Sequence, residues 1–383
     1  MYVEQLVLTD LRCFAALKLV PCRGVNVLLG DNGSGKTSIL EALYVLSHGR
    51  SFRGGGGAAA LIRRGQAACT VHAVLGGAQQ RRLGLTRMEH TWQARIDGQP
   101  AARLSTLLGL CPVICVEPGS QALIAGPAEL RRRFLDWGVF HVEQHGFIDV
   151  WQRHRRALQQ RNALLRDALD DRQMRIWEQR LAQAGQELDA LRRAYLERWR
   201  EPLARYLSRW LPELGDPLCQ YQRGWAAASE LDAVLRGARE RDRAAGFTRA
   251  GPQRADWALT FSRAPERHQL SRGQTKLVAL ACMLAQFEVY RSVHGDAPIL
   301  LLDDLASELD RAHGERVLDE VLDCGAQVWI SGTTFPWRKQ FTGRVFHVEH
   351  GAARCADGSA LAQGGGLLEL NDWPQRGAPF RPA

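Results

Sequence analysis

Residues 30–37, with the sequence GDNGSGKT, constrain the fold of this chain more than any other stretch. They fit the pattern G-x-x-x-x-G-K-[ST] at every fixed position. The apolar run VNVLL precedes them, and apolar residues at helical spacing follow them from position 37 to position 47. In such a loop the glycines let backbone N–H groups turn toward an anion at the positive end of a helix. The sequence therefore predicts a strand, a phosphate-binding loop and a helix, which together indicate an α/β fold.

The lysine in this loop is unusual for the chain, because only four of its 50 lysines and arginines are lysines. A compact ammonium group can reach the outer phosphates of a nucleotide in a closed backbone cradle, whereas a planar guanidinium fork cannot. We therefore expect Lys36 to contact phosphate and to act in catalysis. The predicted nucleotide-binding residues of the loop are Gly30, Asp31, Asn32, Gly33, Ser34, Gly35, Lys36, Thr37 and Ser38.

The composition is that of a soluble chain with a sizeable core. It has 383 residues, of which 45% are hydrophobic and 24% charged, and this length allows two or three domains. There is no apolar run near the ~18 residues of a membrane span and no signal peptide, so we expect a cytoplasmic protein without membrane contact. The nine cysteines form no C-x-x-C pair, which favours free thiols. Four cysteines have neighbours typical of a core: Cys13, Cys69, Cys111 and Cys115.

The net charge of +9 gives weak support for a nucleic-acid partner. Residues 131–210 hold 17 arginines against 11 acidic residues, and this stretch begins with Arg131, Arg132 and Arg133. These three arginines are the candidate DNA-binding residues. The alternative, a solvated helical face, is equally compatible with the pattern.

The chain divides into four predicted segments. Residues 1–136 mix strand-like runs with turns around the phosphate-binding loop. Residues 137–245 have leucines and aromatics at intervals of three and four, which predicts a helical lobe with a short coiled-coil-like hairpin that turns near Asp170 and Asp171. Residues 246–350 return to α/β, and residues 351–383 predict a strand and a tail. Four tryptophans are predicted in the core of the lobe, in preference to the alternative that they stack on bases: Trp151, Trp177, Trp199 and Trp210.

A second candidate site is the apolar run PILLLDD at residues 298–304, which ends in two carboxylates. Asp303 is suited to hold a magnesium ion together with Thr37. Asp304 lies on the opposite side of the strand's end, where a carboxylate would polarise the attacking water. A GTPase is disfavoured, because none of the four lysines follows an asparagine as the base-reading segment N-K-x-D requires.

The stretch LSRGQ at residues 270–274 lies between the loop and the carboxylate pair. By itself it is equally typical of an ordinary serine N-cap. In this order, however, it resembles the signature motif of ABC-type ATPases, which binds the γ-phosphate held by the opposite subunit. The matching residues are Ser271, Arg272, Gly273 and Gln274, and Ser307, Glu308, Leu309 and Asp310 resemble the D-loop of that superfamily.

Within that superfamily the chain resembles the RecF family of bacterial DNA repair ATPases, which are relatives of the SMC proteins. The matching stretches are LVLTDLRCF, NGSGKTSILEALYVLSHGRSFR, GPAELRRRFLD, LSRGQTKL and LLLDDLASELD. The resemblance implies an ABC-type P-loop ATPase head with an inserted helical lobe, in which Arg12 reaches the bound nucleotide. It also implies binding of ATP and Mg²⁺, dimerisation on ATP, and slow, DNA-stimulated hydrolysis.

The resemblance further implies a place in DNA replication, the SOS response and recombinational repair of DNA damage. Family members bind gapped DNA at junctions of single and double strands and load the recombinase with RecR and RecO. Two other functions stay open at this point. One is a nucleotide-gated DNA clamp or scaffold with incidental turnover, and the other is a transporter ATPase subunit, which the helical insertion disfavours.

Three stretches depart from the expected patterns. The switch histidine of transporters is absent after QVWI, so a hydroxyl group such as that of Thr333 would take its place. Gln253 stands in GPQRAD where the family usually has histidine. EPGSQAL replaces P-E-D-L, which leaves Glu117 and Gln121 as candidates for the loop that contacts magnesium.

Overall fold

The computed structural model describes residues 1–53, 58–167, 171–264, 269–305, 309, 311–334 and 343–356. Its strands are β1 (Tyr2–Leu11), β2 (Phe14–Leu19), β3 (Val25–Leu29), β4 (Ala68–Gly76), β5 (Arg81–Met88), β6 (Trp92–Ile96), β7 (Gln99–Pro100), β8 (Val113–Val116), β9 (Pro217–Gln222), β10 (Asp256–Phe261), β11 (Ile299–Leu302), β12 (Val328–Gly332), β13 (Gly343–Glu349) and β14 (Ala352–Ala356). Its helices are α1 (Lys36–His48), α2 (Leu104–Leu108), α3 (Ala122–Ala125), α4 (Ala128–Glu143), α5 (His145–Asp167), α6 (Asp171–Trp210), α7 (Leu231–Gly237), α8 (Arg239–Ala245), α9 (Arg272–His294) and α10 (Arg311–Leu322).

The chain forms two compact units, one made of residues 1–118 together with the described residues from 297 onward, and the other of residues 119–296. The first unit holds two six-stranded sheets. One sheet is antiparallel, in the order β2-β1-β4-β5-β6-β7. The other has the order β14-β13-β3-β12-β11-β8, in which only the pairing of β14 with β13 is antiparallel. This mixed architecture confirms the predicted α/β class.

The strands that lead to the predicted site are buried, which explains their continuous apolar sequences. Every residue of β11 is buried, and so is every residue of β3 except the last, Leu29. Strands covered on both faces have apolar runs instead of alternating patterns. Helix α1 contacts strands of both sheets, and its residues Ile39 and Leu43 lie in the shared core. The strand and the helix predicted on either side of the loop are therefore confirmed.

A hairpin of α5 and α6 is the main feature of the second unit. Arg153 on α5 pairs with Glu187 on α6, whereas Arg161, farther along α5, pairs with Glu178, which comes earlier on α6. The two helices therefore run antiparallel, as predicted. Arg161 also donates to Asp242 on α8 at 2.7 Å, and all three groups of this cluster are fully buried. Loss of one member would leave a buried charge unpaired, so the cluster disfavours other registers of the hairpin.

Hydrogen bonds from side chains to backbone carbonyl groups connect the helices of this unit. The indole N–H of Trp199 on α6 donates to the carbonyl of Cys282 on α9 at 3.0 Å. The amide of Gln286 on α9 donates to the carbonyl of Phe134 on α4 at 3.0 Å. Helices α4, α6 and α9 are thus joined by bonds in which one partner is the main chain.

Most of the tryptophans and cysteines predicted in the core are buried or half-buried, but two of them are exposed. Trp199 and Trp210 are buried and Trp177 is half-buried, but Trp151 is 37% exposed, so the prediction for Trp151 was wrong. Its ring is partly open to solvent beside the guanidinium of Arg155. Cys13 is likewise exposed, while the other three cysteines predicted in the core are buried, and all nine cysteines have free thiols.

The boundaries between the two compact units differ from the predicted segment boundaries. Residues 119–136 and 246–296 belong to the second unit by their contacts. The reason is that α4 and α9 pack on each other and on α6. The four segments therefore stay a prediction about domain organisation. Among the described residues, no helix combines the length and the apolar character that crossing a membrane requires.

Two buried histidines make the stability of the protein depend on pH. Burial lowers the pKa of His141 to about 3 and that of His154 to about 4, helped by the nearby His294 and Arg192 respectively. Both histidines are neutral in the folded chain and take up a proton below pH ~6.5 once it unfolds, so stability present above that pH is lost on acidification. We expect a loss of ~1 kcal/mol for each histidine between pH 7 and pH 5.5, measured by urea unfolding.

A comparison with His141→Phe isolates one contribution, because the loss of stability between pH 7 and pH 5.5 should be smaller by ~1 kcal/mol in this variant than in the original chain. An unchanged pH dependence in this variant would contradict the assignment. The comparison uses the difference between the free energies of unfolding at pH 7 and at pH 5.5. A change in overall stability caused by the new ring therefore does not affect it.

Candidate functional site

Three neighbouring parallel strands bring the loop and the carboxylates to one edge of the second sheet. Strand β12 lies between β3 and β11, and all three run in the same direction. The loop follows β3, Asp303 and Asp304 follow β11, and Ser331 lies near the end of β12. Since the carboxyl ends of parallel strands meet at one edge, residues distant in sequence converge there.

The loop leaves the first turn of α1 open toward an anion. Gly35 precedes the helix, and no side chain caps it. The N–H groups of Lys36 and Thr37 come before the first hydrogen bond of the helix, which Ser38 donates to the carbonyl of Gly35 at 2.9 Å, and they are therefore suited to bind an anionic ligand. Gly35 has a φ of +116°, and a Cβ at this position would lie 2.6 Å from the ring of Phe14 and 2.8 Å from Sγ of Cys13. Both the backbone conformation and the available space require glycine here.

Lys36 is held by the loop itself. Its Nζ donates to the carbonyl oxygens of Gly30 and Asp31 at 2.6 and 2.8 Å. Burial lowers the pKa of the Lys36 ammonium group, and the charges of Asp304 and Asp303 oppose this effect. A phosphate bound in the loop would add negative charge beside a cation that has lost much of its water.

Asp303 accepts hydrogen bonds from two hydroxyl groups. Oγ1 of Thr37 donates to Oδ1 of Asp303 at 3.0 Å, and Oγ of Ser331 donates to the same oxygen. Burial raises the pKa of the Asp303 carboxyl group, while the two hydroxyl groups act in the opposite direction. A hydroxyl and a carboxylate oxygen side by side are suited to Mg²⁺, which is commonly bound by one or two protein groups, phosphates and waters. The donor set of Thr37 and Asp303 therefore fits the predicted metal.

Asp304 has an uncommon backbone conformation. Its φ is +51°, in the left-handed region that residues other than glycine seldom adopt. Its N–H donates to Oγ of Ser331 at 3.0 Å. The same serine hydroxyl therefore bonds to both members of the carboxylate pair and fixes the direction in which the chain leaves β11. Strain of this kind is typical of functional sites.

Arg12 is anchored by a buried carboxylate. Its Nε and Nη2 donate to the two oxygens of Glu41 at 2.8 and 2.6 Å, and Glu41 itself has no solvent exposure. Ser51 donates to the same carboxylate and accepts the N–H of Arg53 at 2.9 Å. Glu41 thereby supports two arginines, one directly and one through Ser51.

These groups surround one cavity of about 460 Å³. The predicted site residues that line it are Arg12, Asn32, Gly33, Gly35, Lys36, Thr37, Ser38, Asp303 and Asp304. The other predicted loop residues, Gly30, Asp31 and Ser34, belong to the same loop without lining the cavity. The lining residues that the sequence reasoning did not select are Cys13, Arg53, Ala60, Ile62 and Ser331. Arg53 could have been selected from the sequence, because it ends the stretch SHGRSFR, which resembles the RecF family.

The hydroxyl group that reaches the carboxylates is that of Ser331, whereas Thr333 does not line the cavity. Position 331 is the one in β12 that pairs with Leu28, just before the loop, so the strand register brings its side chain to the site. Glu117 and Gln121 are also outside the cavity lining. Their roles and that of Thr333 stay predictions.

The signature-like residues cap α9 in the second unit. Oγ of Ser271 accepts the N–H of Gln274 at 3.2 Å, and the side chain of Gln274 accepts the N–H of Ser271 at 2.9 Å. This is the reciprocal arrangement of a capping box. Ser271, Arg272 and Gly273 are exposed, and none of the four residues lines the cavity. Contact with a nucleotide held by another copy stays a prediction.

The arginine triplet is divided between the interior and the surface. Arg131 is 4% exposed, and its guanidinium donates to both carboxylate oxygens of Asp256 at 2.6 and 3.0 Å. The prediction that it binds DNA was wrong, because a guanidinium buried on an internal carboxylate presents no surface to a phosphate. Arg132 donates to a backbone carbonyl group at 2.9 Å, and Arg133 is exposed beside Glu129. For these two the role stays a prediction.

The outcome for two further predicted features is brief. Gln253 belongs to the second unit, where its amide donates to the carbonyl of Ala250 at 2.8 Å. The D-loop residues Ser307, Glu308 and Asp310 lie outside the described residues.

The sequence matches a described protein family. The family model described as RecF/RecN/SMC N terminal domain matches residues 2–335, so the chain has the ABC-type ATPase head of that class. The DNA replication and repair protein RecF of Stenotrophomonas maltophilia (strain R551-3) is 45% identical over 91% of this chain and 98% of its own length. RecF of Xanthomonas euvesicatoria pv. vesicatoria (strain 85-10) is 44% identical over 92% and 98%. This chain belongs to the RecF family.

Solved structures have the same fold. The recombination mediator protein RecF-ATP in the RecFOR pathway superposes with a TM-score of 0.84 at 23% identity, over 93% of this chain and 97% of that one. The corresponding RecF-ATPrS structure gives a TM-score of 0.81 at 24% identity, over 92% and 98%. An SmcHead bound to the C-winged helix domain of ScpA gives 0.54 at 13% identity, over 97% and 99%. At these identities the likeness concerns the fold alone.

Ser331→Ala should destabilise the chain, because Asp303 would lose a buried hydrogen bond and the N–H of Asp304 would lose its acceptor. We expect the free energy of unfolding to fall by ~2 kcal/mol, measured by denaturant titration. Ser331→Thr keeps the hydroxyl group and should retain most of that stability. Equal losses in the two variants would show that the hydroxyl group does not have this role.

Proposed function

We propose that this protein is an ATPase of recombinational DNA repair that binds ATP and Mg²⁺ in the cavity of the first unit. The proposal is carried by one observation, the convergence of the Lys36 ammonium group, the uncapped start of α1 and the Thr37–Asp303 pair around a single cavity. A cation, N–H donors and metal ligands are the parts that phosphoryl transfer requires. The names of the RecF relatives and of the ATP-bound structure support the choice of nucleotide and pathway.

In the proposed mechanism each residue acts from the position described above. Lys36 exchanges the carbonyl groups of its own loop for the outer phosphates, and the N–H groups of α1 bind the same anion. Thr37 and Asp303 would hold Mg²⁺, which would supply positive charge next to the phosphate oxygens. Asp304 orients the attacking water and accepts its proton. Arg12, kept in place by its buried carboxylate partner, contacts the nucleotide.

The proposal includes an ATP-dependent homodimer. Ser271 lies at the exposed N-terminus of a long helix, where it would complete the site of a second copy. It also includes binding to gapped DNA at junctions of single and double strands, with RecR and RecO as partners in loading a recombinase. The net charge of +9 and the pathway named for the related structures support these partners. Hydrolysis would be slow and stimulated by DNA, in the cytoplasm.

Asp304→Asn should separate ATP binding from hydrolysis. The amide has nearly the same size but cannot accept a proton, and the metal ligands Thr37 and Asp303 are unchanged. We expect turnover to fall ~100-fold or more while ATP affinity changes less than about threefold, so that an ATP-bound dimer accumulates. Phosphate release, titration with a fluorescent ATP analogue and light scattering measure the three quantities. Loss of ATP binding would mean that the two carboxylates have the opposite roles.

Mixing two inactive variants tests whether the site is shared between copies. Lys36→Ala and Ser271→Arg should each be inactive alone, but one of the two composite sites in a mixed dimer combines an intact loop with an intact signature. With random exchange about half of the dimers are mixed and each has one good site of two, so recovery should approach about a quarter of the original turnover.

The matched control mixes Lys36→Ala with the double variant Lys36→Ala/Ser271→Arg, in which every loop is defective and no site can recover. A labelled subunit verifies exchange, and dimerisation on ATP is measured in parallel. A mixture that exchanges subunits but neither dimerises on ATP nor hydrolyses it would contradict the shared site.

A further inference from the structure

Helix α5 carries arginines that have no acidic partner among the described residues. Arg155, Arg156 and Arg166 are exposed on the outer side of this helix. Arg166 donates to a backbone carbonyl group, and within the part of the chain that the structure describes none of the three pairs with a carboxylate. Arg153, which is also on α5, pairs instead with Asp149 and Glu187. This part of α5 therefore carries positive charge that no carboxylate of the described residues neutralises.

Two exposed aromatic rings accompany these arginines. Trp151 is 37% exposed, and the guanidinium of Arg155 lies 5.3 Å from its ring centroid. Phe247 is 42% exposed, and the guanidinium of Arg254 lies 5.2 Å from its ring centroid. Each ring is packed against a guanidinium group and keeps part of its surface open to solvent.

The two rings lie near opposite ends of the arginine row. Trp151 comes one turn before Arg155. Phe247 lies beside the other end, because its neighbour Gly246 accepts a hydrogen bond from Arg166, and its other neighbour Thr248 donates to the side chain of Asn162 at 2.8 Å. The rings and guanidinium groups thus lie along α5 and beside its end, all within the second unit.

We propose that this surface binds single-stranded DNA. We call it the arginine face, and its residues are Trp151, Arg155, Arg156, Arg166, Phe247 and Arg254. The proposal rests on the proposed function for the choice of DNA as the polyanion, but it concerns a different part of the chain from the nucleotide cavity.

The chemistry of the face matches unpaired bases better than a duplex. Guanidinium groups bind the phosphates of either form, but an exposed ring can stack only on a base whose own face is accessible. An acidic protein segment would pair with the arginines and leave the rings unused. From Trp151 to Arg166 the helix rises about 22 Å, which is long enough for several nucleotides of an extended strand.

The first test removes charge from the face in the full-length chain. Arg155→Gln/Arg156→Gln is compared with Arg153→Gln/Arg200→Gln, which removes the same charge from exposed arginines that have acidic partners. Binding of a fluorescent oligothymidylate is titrated at several salt concentrations. The face variant should bind about tenfold more weakly, and its salt slope should flatten by about 1.4, since each single-strand phosphate contact contributes ~0.7. The control should change little in either quantity.

The second test removes the ring and keeps the charge. Trp151→Ala should weaken oligothymidylate binding about fivefold with an unchanged salt slope, and binding to a blunt duplex should stay the same. Equal losses for duplex and single strand, or equal losses in the control variant, would overturn the proposal. ATP binding and basal turnover should be unchanged in all variants. Absence of ATP turnover in the original chain would contradict the proposed function instead, and the binding comparison would still be readable.

Discussion

The site depends on the parallel pairing of β12 between β3 and β11. This pairing places the end of one strand, with its loop, beside the ends of two others that come from the far end of the sequence. Ser331 on the middle strand then bonds to Asp303 and to the N–H of Asp304. A slip of β12 by one residue would turn this hydroxyl group to the other face of the sheet and leave both carboxylate positions without it.

Within this frame, burial disfavours the charged form of both Lys36 and Asp303. Burial lowers the pKa of the lysine and raises that of the aspartate, although each group is partly compensated by the opposite charge nearby and by hydrogen bonds. The site therefore holds a cation and an anion that have lost part of their hydration before any ligand arrives. A phosphate and a metal ion would restore charge balance to each, which is a physical reason for the two to bind together.

Local signals were sufficient for the parts of the site that are close in sequence. The loop, α1 and the buried strands could be predicted because the glycine pattern and the apolar runs depend on neighbouring residues. Arg131 could not be assigned in this way, since its burial depends on Asp256, which is 125 positions away. Ser331 and Thr333 both carry a hydroxyl group near the end of β12, so the local sequence does not show which of them reaches the site. The register of β12 against β3 decides this. Trp151 has the helical spacing of a core residue but is 37% exposed.

The bonds from side chains to main-chain carbonyl groups in the second unit have a consequence for sequence divergence. Every residue type has a carbonyl oxygen, so Cys282 can be replaced by another residue of similar volume without loss of the hydrogen bond from Trp199. Replacement of Trp199 removes the donor and leaves a cavity. In the same way, the hydrogen bond from Gln286 ends on the main chain of Phe134 and does not depend on the side chain at that position. Among relatives, substitutions should therefore accumulate at the acceptor positions faster than at the donor positions, although the two residues of each pair are in direct contact.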